Sequence, residues 1–273
     1  MAPAAHEPVV DLLDQEWGAV IGLGRELGET EWDMPSECPG WSVRDLLSHM
    51  IGTERGLLGT PPPTTLAEVP AHVHNETGAR NEAWVAARRS VPGRDLVDEF
   101  ADVTAQRLAQ LRSWPAQRFD QVGPSPVGEA PYREFMRVRV MDCWIHEQDM
   151  RVATGRPGHD RGAVAELALD RLTAALPFVV GKQVGAPEGS AVRVELRGPR
   201  HLRFDVAVRA GRASVVSDLE GEPSAVVDMD TEAFWRLACG RVPGPAARAA
   251  GLVTVRGDEA LGARVVDAMA FMI

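Results

Sequence analysis

Tyrosine occurs once in this chain, at Tyr132, and lysine is scarce as well, while Ala, Arg, Gly and Val abound. That bias is one of high-GC coding and carries no mechanism. Cysteine is limited to Cys38, Cys143 and Cys239, odd in number and in no paired motif. This excludes a disulfide framework and a zinc ribbon and fits a reducing cytosol, so a cytoplasmic location is expected. No apolar run reaches the ~18 residues of a membrane span, so no membrane partner is expected. Residues 1–10 include Glu7 and His6 and lack both a basic and an apolar segment, so they do not read as a secretory signal. A concentrated basic face is missing too. With a net charge of −10 and a pI near 5.2, nucleic acid is not an expected partner. There is no internal repeat and no low-complexity tract.

What is present is ordinary globular composition, 45% hydrophobic and 25% charged, in 273 residues. That length suffices for two domains, each with a core of its own. Apolar recurrence at Val9, Leu12, Leu13, Trp17, Val20 and Ile21 predicts a helix over 9–27. Ser42, followed three residues later by Asp45, is a variant capping box and predicts a second helix over 43–58, carrying His49. Pro61-Pro62-Pro63 opens a loop to about residue 70. Further helices are expected over 75–89 and 95–114, then a connector over 123–131. A long helix over 132–153 is stopped by Gly155-Arg156-Pro157-Gly158.

After one more helix, over 162–176, the period changes. Val192, Val194 and Leu196 alternate with charged residues, and so do Leu202, Phe204, Val206 and Val208, which predicts half-buried strands. Short strands over 213–216, 225–229 and 252–255, with helices over 231–239 and 259–272, complete an α+β unit. The boundary between the halves is expected between Gly158 and Gly189.

The helix over 132–153 carries the chemistry. Arg139, Asp142, His146 and Asp149 fall within an arc of about 80°, and most of the remaining surface is apolar. A buried helix with such a stripe needs an internal partner for its charges, and a divalent metal suits a carboxylate and an imidazole one turn apart. His49, among Leu46, Leu47, Met50 and Ile51, would make with Asp142 and His146 a two-histidine, one-carboxylate set with a position left open. Taken singly, His49 also fits a hydrogen-bonded core residue, and Asp142 with His146 an ion pair. His72 and His74 read as solvated loop residues, and Cys38 as structural. Gly22-Leu23-Gly24 lies inside a helix and is no phosphate loop, and His146-Glu147-Gln148-Asp149 lacks the second histidine of a zincin. Asn75-Glu76-Thr77 matches a glycosylation sequon that means nothing without a secretory signal.

Cys38-Pro39-Gly40-Trp41-Ser42-Val43-Arg44-Asp45-Leu46-Leu47-Ser48-His49 resembles one signature of the mycothiol-dependent maleylpyruvate isomerase family. Trp144 to Arg151 (Trp-Ile-His-Glu-Gln-Asp-Met-Arg), followed by Gly155-Arg156-Pro157-Gly158, resembles the other. Asp230-Thr231-Glu232-Ala233-Phe234 and Val255-Arg256-Gly257-Asp258 are similar to its sterol-carrier-like domain, so the likeness spans nearly the whole chain. The resemblance implies a DinB-like four-helix bundle (1–158) followed by a smaller sterol-carrier-like α+β domain (159–273). It implies zinc held by His49, Asp142 and His146, with mycothiol as cosubstrate and an electrophilic small molecule as substrate. Asp142 stands where the isomerase proper carries a glutamate, one methylene longer. Asp149 and Arg139 are expected to orient a ligand or balance charge in catalysis. Arg236, Arg241 and Arg256 are candidate counterparts of a functional arginine in the family's second domain. The expected activity is an isomerase or thiol S-transferase. A non-catalytic binding module and a hydrolase using metal-activated water are the alternatives.

Overall fold

A computed structural model describes residues 7–63, 66, 68–126 and 128–272. The segment assessed for a secretory signal therefore lies partly outside the described residues, as do parts of the 61–70 loop and of the 123–131 connector. The chain divides into two compact units, Met1–Ala168 and Leu169–Ile273, and the division falls inside a helix, Ala163–Thr173.

Helices α1 (Pro8–Glu26), α2 (Val43–Leu57), α3 (Glu76–Ala86), α4 (Gly93–Arg112) and α5 (Tyr132–Thr154) build the first unit. α1 packs on α4 and α5, and α2 packs on the same two, so the four long helices close a ring in the order α1-α4-α2-α5. Its core is filled by Leu13, Trp17 and Val20 of α1, Leu46, Met50 and Ile51 of α2, Phe100 and Val103 of α4, and Val140 and Trp144 of α5. α3 packs chiefly on α2. The contact is close because α2 offers Gly52, where a Cβ would lie 2.3 Å from Cγ of Trp84.

The ends of α2 and α5 follow from local chemistry. The Ser42 side chain accepts from the Asp45 backbone N–H, and the Asp45 carboxylate accepts from the Ser42 N–H in return. Two of the backbone donors orphaned at that helix start are thereby satisfied. α5 ends on Gly155 at φ 64°, a left-handed conformation open to glycine at no steric cost. Asn75 of the sequon caps α3 by accepting from the Gly78 N–H. Two corrections concern segments that read as loops. Residues 123–131 are not a plain connector, because strands β1 (Val122–Ser125) and β2 (Gly128–Pro131) pair antiparallel. A short 3₁₀ turn, Glu29–Asp33, also occupies what reads as loop after α1.

The helix that contains the division, α6 (Ala163–Thr173), leads into the second unit to a short helical turn, α7 (Leu176–Phe178), and then to a wider π turn over Val179–Gln183. A five-stranded sheet follows, formed by β3 (Ala191–Arg197), β4 (Leu202–Arg209), β5 (Arg212–Val216), β6 (Ala225–Asp230) and β7 (Val253–Gly257) in the order β5-β4-β3-β6-β7. Only β3 and β6 are parallel. Val192, Val194 and Leu196 sit in register with Ala225, Val227 and Met229, all buried. One sheet face is thus apolar, as the two-residue alternation predicts. α8 (Thr231–Ala238) packs on β3 and β6, and α10 (Glu259–Asp267) on β6 and β7. The last helix is shorter than predicted, and a further one, α9 (Gly244–Ala249), begins with Gly244-Pro245 in a stretch where the sequence predicts no element. Proline tolerates the first helical turn because its missing N–H has no intrahelical partner there.

Candidate metal centre

α2 and α5 run side by side in the bundle, and their facing sides bring together residues about ninety positions apart. His49 Nε2 lies 3.4 Å from Asp142 Oδ2, and His146 Nε2 lies 3.8 Å from Asp142 Oδ1. The two imidazoles meet nearly edge to face, with centroids 4.9 Å apart. One ligand atom from each of the three residues falls within 4.8 Å of the others. Both histidines are buried, whereas Asp142 keeps 31% of its side-chain surface, so the cluster opens to solvent on the aspartate's side.

The protonation states suit cation binding. Burial lowers the His49 pKa below the ordinary imidazole value, and the Asp142 carboxylate opposes that shift without reversing it. Burial works to raise Asp142, but the Arg139 guanidinium and then the two histidines outweigh it and hold the carboxyl well below the usual range. A neutral imidazole with a lone pair and an ionised carboxylate are the forms a metal takes. His49 Nδ1 is buried without a hydrogen-bond partner.

The four residues of the polar stripe do lie together. His146 turns its other nitrogen, Nδ1, toward Asp149 Oδ2 at 3.2 Å, and Asp149 is only 1% exposed. Since a carboxylate only accepts, Nδ1 carries the hydrogen of that contact, and Nε2 is the nitrogen that faces the cluster. Arg139 donates to Asp142 through Nη1 and to Glu54 Oε1 through Nε, the latter at 3.0 Å. Glu54 in turn accepts from Arg107 Nε at 3.0 Å, and Arg107 Nη2 reaches the Tyr132 hydroxyl at 3.0 Å. This chain of buried charges fixes Asp142 from behind. Cys143 also touches Arg139, at 3.4 Å, but burial pushes its thiol well up, so it stays protonated and offers no nucleophile.

Three residues that the sequence reading passes over belong to the same neighbourhood. The Trp41 ring lies 5.1 Å from His49 and 6.0 Å from His146 between centroids. Its indole N–H donates to Glu82 at 2.9 Å. Glu82, wholly buried, also takes Arg89 Nη2 at 2.6 Å and His72 Nε2 at 3.1 Å. His72 is therefore part of a buried network and not a solvated loop residue, whereas His74 is exposed. Glu54 is the third. Trp41 could have been found as the apolar residue just before the Ser42 cap, but Glu54 has no local signal because both its partners come from other helices. In the second unit Arg256 pairs with Glu195 at 3.0 Å, Arg236 with Glu232 at 3.2 Å, and Arg241 Nη1 donates to the Cys239 carbonyl at 2.9 Å.

Comparison with known proteins gives this architecture a place. The family described as the mycothiol maleylpyruvate isomerase N-terminal domain matches residues 13–151, and the MDMPI C-terminal domain matches 166–264. The chain belongs to the mycothiol maleylpyruvate isomerase family. A crystal structure of the mycothiol-dependent maleylpyruvate isomerase superposes with a TM-score of 0.57 at 19% identity, over 91% of this chain and 92% of that one. A mutant of the isomerase gives a TM-score of 0.57 at 18% identity over the same shares. At this identity the likeness speaks for the fold. A sterol carrier protein 2-like 2 structure from Aedes aegypti matches 37% of this chain and 96% of its own at 12% identity, with a TM-score of 0.31. No curated protein matches the sequence. Among the described residues, no helix is long and apolar enough to cross a membrane.

Proposed function

We propose that this family member is a zinc-dependent enzyme that uses a low-molecular-weight thiol, mycothiol, against an electrophilic small molecule. The observation that carries the reading is the convergence of His49, Asp142 and His146, one open carboxylate between two buried imidazoles. Three protein ligands of this kind leave a fourth position free. The donor set fits zinc chemically: two imidazoles, that of His49 kept neutral by burial, and a carboxylate kept ionised by Arg139. Zinc bound there would lower the pKa of a thiol that meets it.

The chain's own residues have distinct tasks in this reading. His49 and His146 would hold the ion through their imidazoles, and Asp142 through its carboxylate. Asp149 keeps the hydrogen of His146 on Nδ1, so the imidazole presents its lone pair inward. Arg139, braced by Glu54, holds Asp142 in place and balances its charge when the site is empty. Trp41, anchored to Glu82, lies beside both imidazoles and keeps water from that side. The thiol supplies the nucleophile, so no protein nucleophile is needed.

Attack of the thiolate on an electron-poor double bond conjugated to a carbonyl forms a C–S bond and moves the π electrons onto the carbonyl oxygen. Rotation about the resulting single bond, return of those electrons and cleavage of C–S give back the thiolate and the isomerised alkene. Protonation at carbon in place of expulsion leaves the thiol attached, which is S-transfer. Maleylpyruvate is the substrate that the family's name offers.

The test is turnover of maleylpyruvate by zinc-loaded protein with and without mycothiol, alongside metal analysis of wild type, His49→Ala and His146→Ala. The expected result is mycothiol-dependent isomerisation and loss of one zinc equivalent per chain in both variants. Undiminished metal in either variant removes that residue from the ligand set. Equal binding of mycothiol to metal-free and metal-loaded protein overturns the thiol assignment.

A further inference from the structure

A second cluster of possible ligands sits about 100° around α5 from His146, on the side turned toward α1. Glu147 of α5 is fully buried, and so is Glu16 of α1. His159 joins them from the loop that follows α5. That loop is tied back to its own helix by three α5 side chains. Trp144 Nε1 donates to the His159 carbonyl at 2.8 Å, Gln148 Nε2 to that of Gly158 at 3.2 Å, and Arg151 Nη1 to that of Arg156 at 3.2 Å. His159 itself adopts φ 54°, a left-handed backbone rare outside glycine. Its Nδ1 is thereby placed 2.6 Å from Glu147 Oε2 and 3.6 Å from Glu16 Oε2.

We propose that Glu16, Glu147 and His159 form a second divalent-cation site, separate from the His49–Asp142–His146 cluster, whose ion pins the loop after α5 to α1. One ligand atom from each of the three lies within 4.8 Å of the others. The deciding observation is Glu16: both its carboxylate oxygens are buried with no donor within hydrogen-bond distance, and the group they face is a second carboxylate, Glu147. A buried carboxylate left so is costly unless something compensates it. A cation between Glu16 and Glu147 compensates both buried carboxylates at once. Arg151 engages the far oxygen of Glu147, Oε1, at 2.7 Å and leaves Oε2 to face the cluster. Metal–ligand distances near 2.0–2.2 Å imply ligand atoms roughly 3.3 Å apart. The His159–Glu147 pair must therefore open by less than ~1 Å on binding, while the Glu16–His159 separation already suits. His159 keeps 22% of its side-chain surface and gives the ion its way in. Two carboxylates and one imidazole suit Mn²⁺ or Zn²⁺.

The test removes the first site and counts what remains. His49→Ala protein is titrated with Mn²⁺, free ion being followed by electron paramagnetic resonance, and Zn²⁺ is counted by elemental analysis after dialysis. One ion per chain is expected to remain bound. Adding Glu16→Gln, or separately His159→Asn, is expected to weaken that binding at least about 10-fold. Asparagine tolerates the left-handed backbone and is too short to reach the cluster, so the second variant stands if the first fails to fold by circular dichroism. His49→Ala protein that binds neither ion, or that binds them equally well with Glu16→Gln or His159→Asn added, overturns the proposal. Should His49→Ala leave the metal content of wild type unchanged, the first assignment fails alone, since loss on Glu16→Gln still reads the second site.

Discussion

Asp142 and Asp149 share one helix face and touch the same histidine, yet the geometry assigns them different work. Asp142 lies between the two Nε2 atoms, at 3.4 and 3.8 Å, whereas Asp149 lies 3.2 Å from Nδ1, on the far side of the His146 ring. Asp142→Ala is therefore expected to abolish stoichiometric zinc at the first site, because two remaining imidazoles hold the ion poorly. The fold should survive, since Arg139 keeps Glu54 as partner at 2.9 Å. Asp149→Ala leaves all three ligands but lets the His146 ring choose its tautomer and swing. Loss of such an outer partner costs about 10–100-fold in affinity, or roughly 1.4–2.7 kcal/mol. Asp149→Asn retains an acceptor for the Nδ1 hydrogen and should fall between Asp149→Ala and wild type. The assay is chelator competition for zinc on the three variants, in a Glu16→Gln background so that only the first site is counted. If Asp149→Ala empties the site while Asp142→Ala keeps its ion, the assignment of the two carboxylates is wrong.

Gly52→Ala sets a Cβ 2.3 Å from Trp84 Cγ, and Trp84 is buried. The overpacking should cost about 1–3 kcal/mol despite alanine's better helix propensity, so an unchanged urea midpoint would refute the close α2–α3 contact. Ser42→Ala removes the acceptor of the Asp45 N–H at the start of α2. It should cost ~1 kcal/mol, seen as a Tm lower by about 2–4 °C. Glu99 is held below the ordinary carboxyl value: burial raises it, but Arg88 and Arg55 outweigh burial. Its folded pKa is depressed, so its stabilisation is present above the unfolded value of about 4.3 and is lost as pH falls below it. The stability gap between wild type and Glu99→Gln should accordingly be widest near neutrality and close on acidification. A gap that is constant down to pH ~3 would contradict the ion pairs.

The long elements were legible because their signals are local. The Ser42–Asp45 box, the stripe from Arg139 to Asp149 and the two-residue alternation of Val192, Val194 and Leu196 each lie within a few turns or one strand. The β1–β2 hairpin was not legible, since glycine and proline at 123, 124, 128 and 131 punctuate it as they would a loop. α9, six residues long and opening on Gly244-Pro245, is too short to show a helical period of its own. At the site, the stripe on α5 could be read, but its bracing could not. Glu54 meets Arg139 across 85 positions, and Trp41 meets Glu82 across 41. No window along the chain contains both members of either pair. His72 failed in the same way: its flanks are those of a loop, but its partner, Glu82, is a buried residue of the next helix.

His146 and Glu147 are neighbours in sequence and serve networks on different sides of α5. Substitution at either position therefore damages one network and spares the other. A change of length behaves differently. One residue deleted between Tyr132 and Asp142 turns everything after it by about 100°, which moves His146 away from His49 and Glu147 away from Glu16 in a single step. An insertion of seven residues, close to two full turns, restores both orientations but displaces them by about 10 Å along the axis. Point substitution can thus tune the two networks separately, whereas the number of residues in α5 before them has no tolerated alternative.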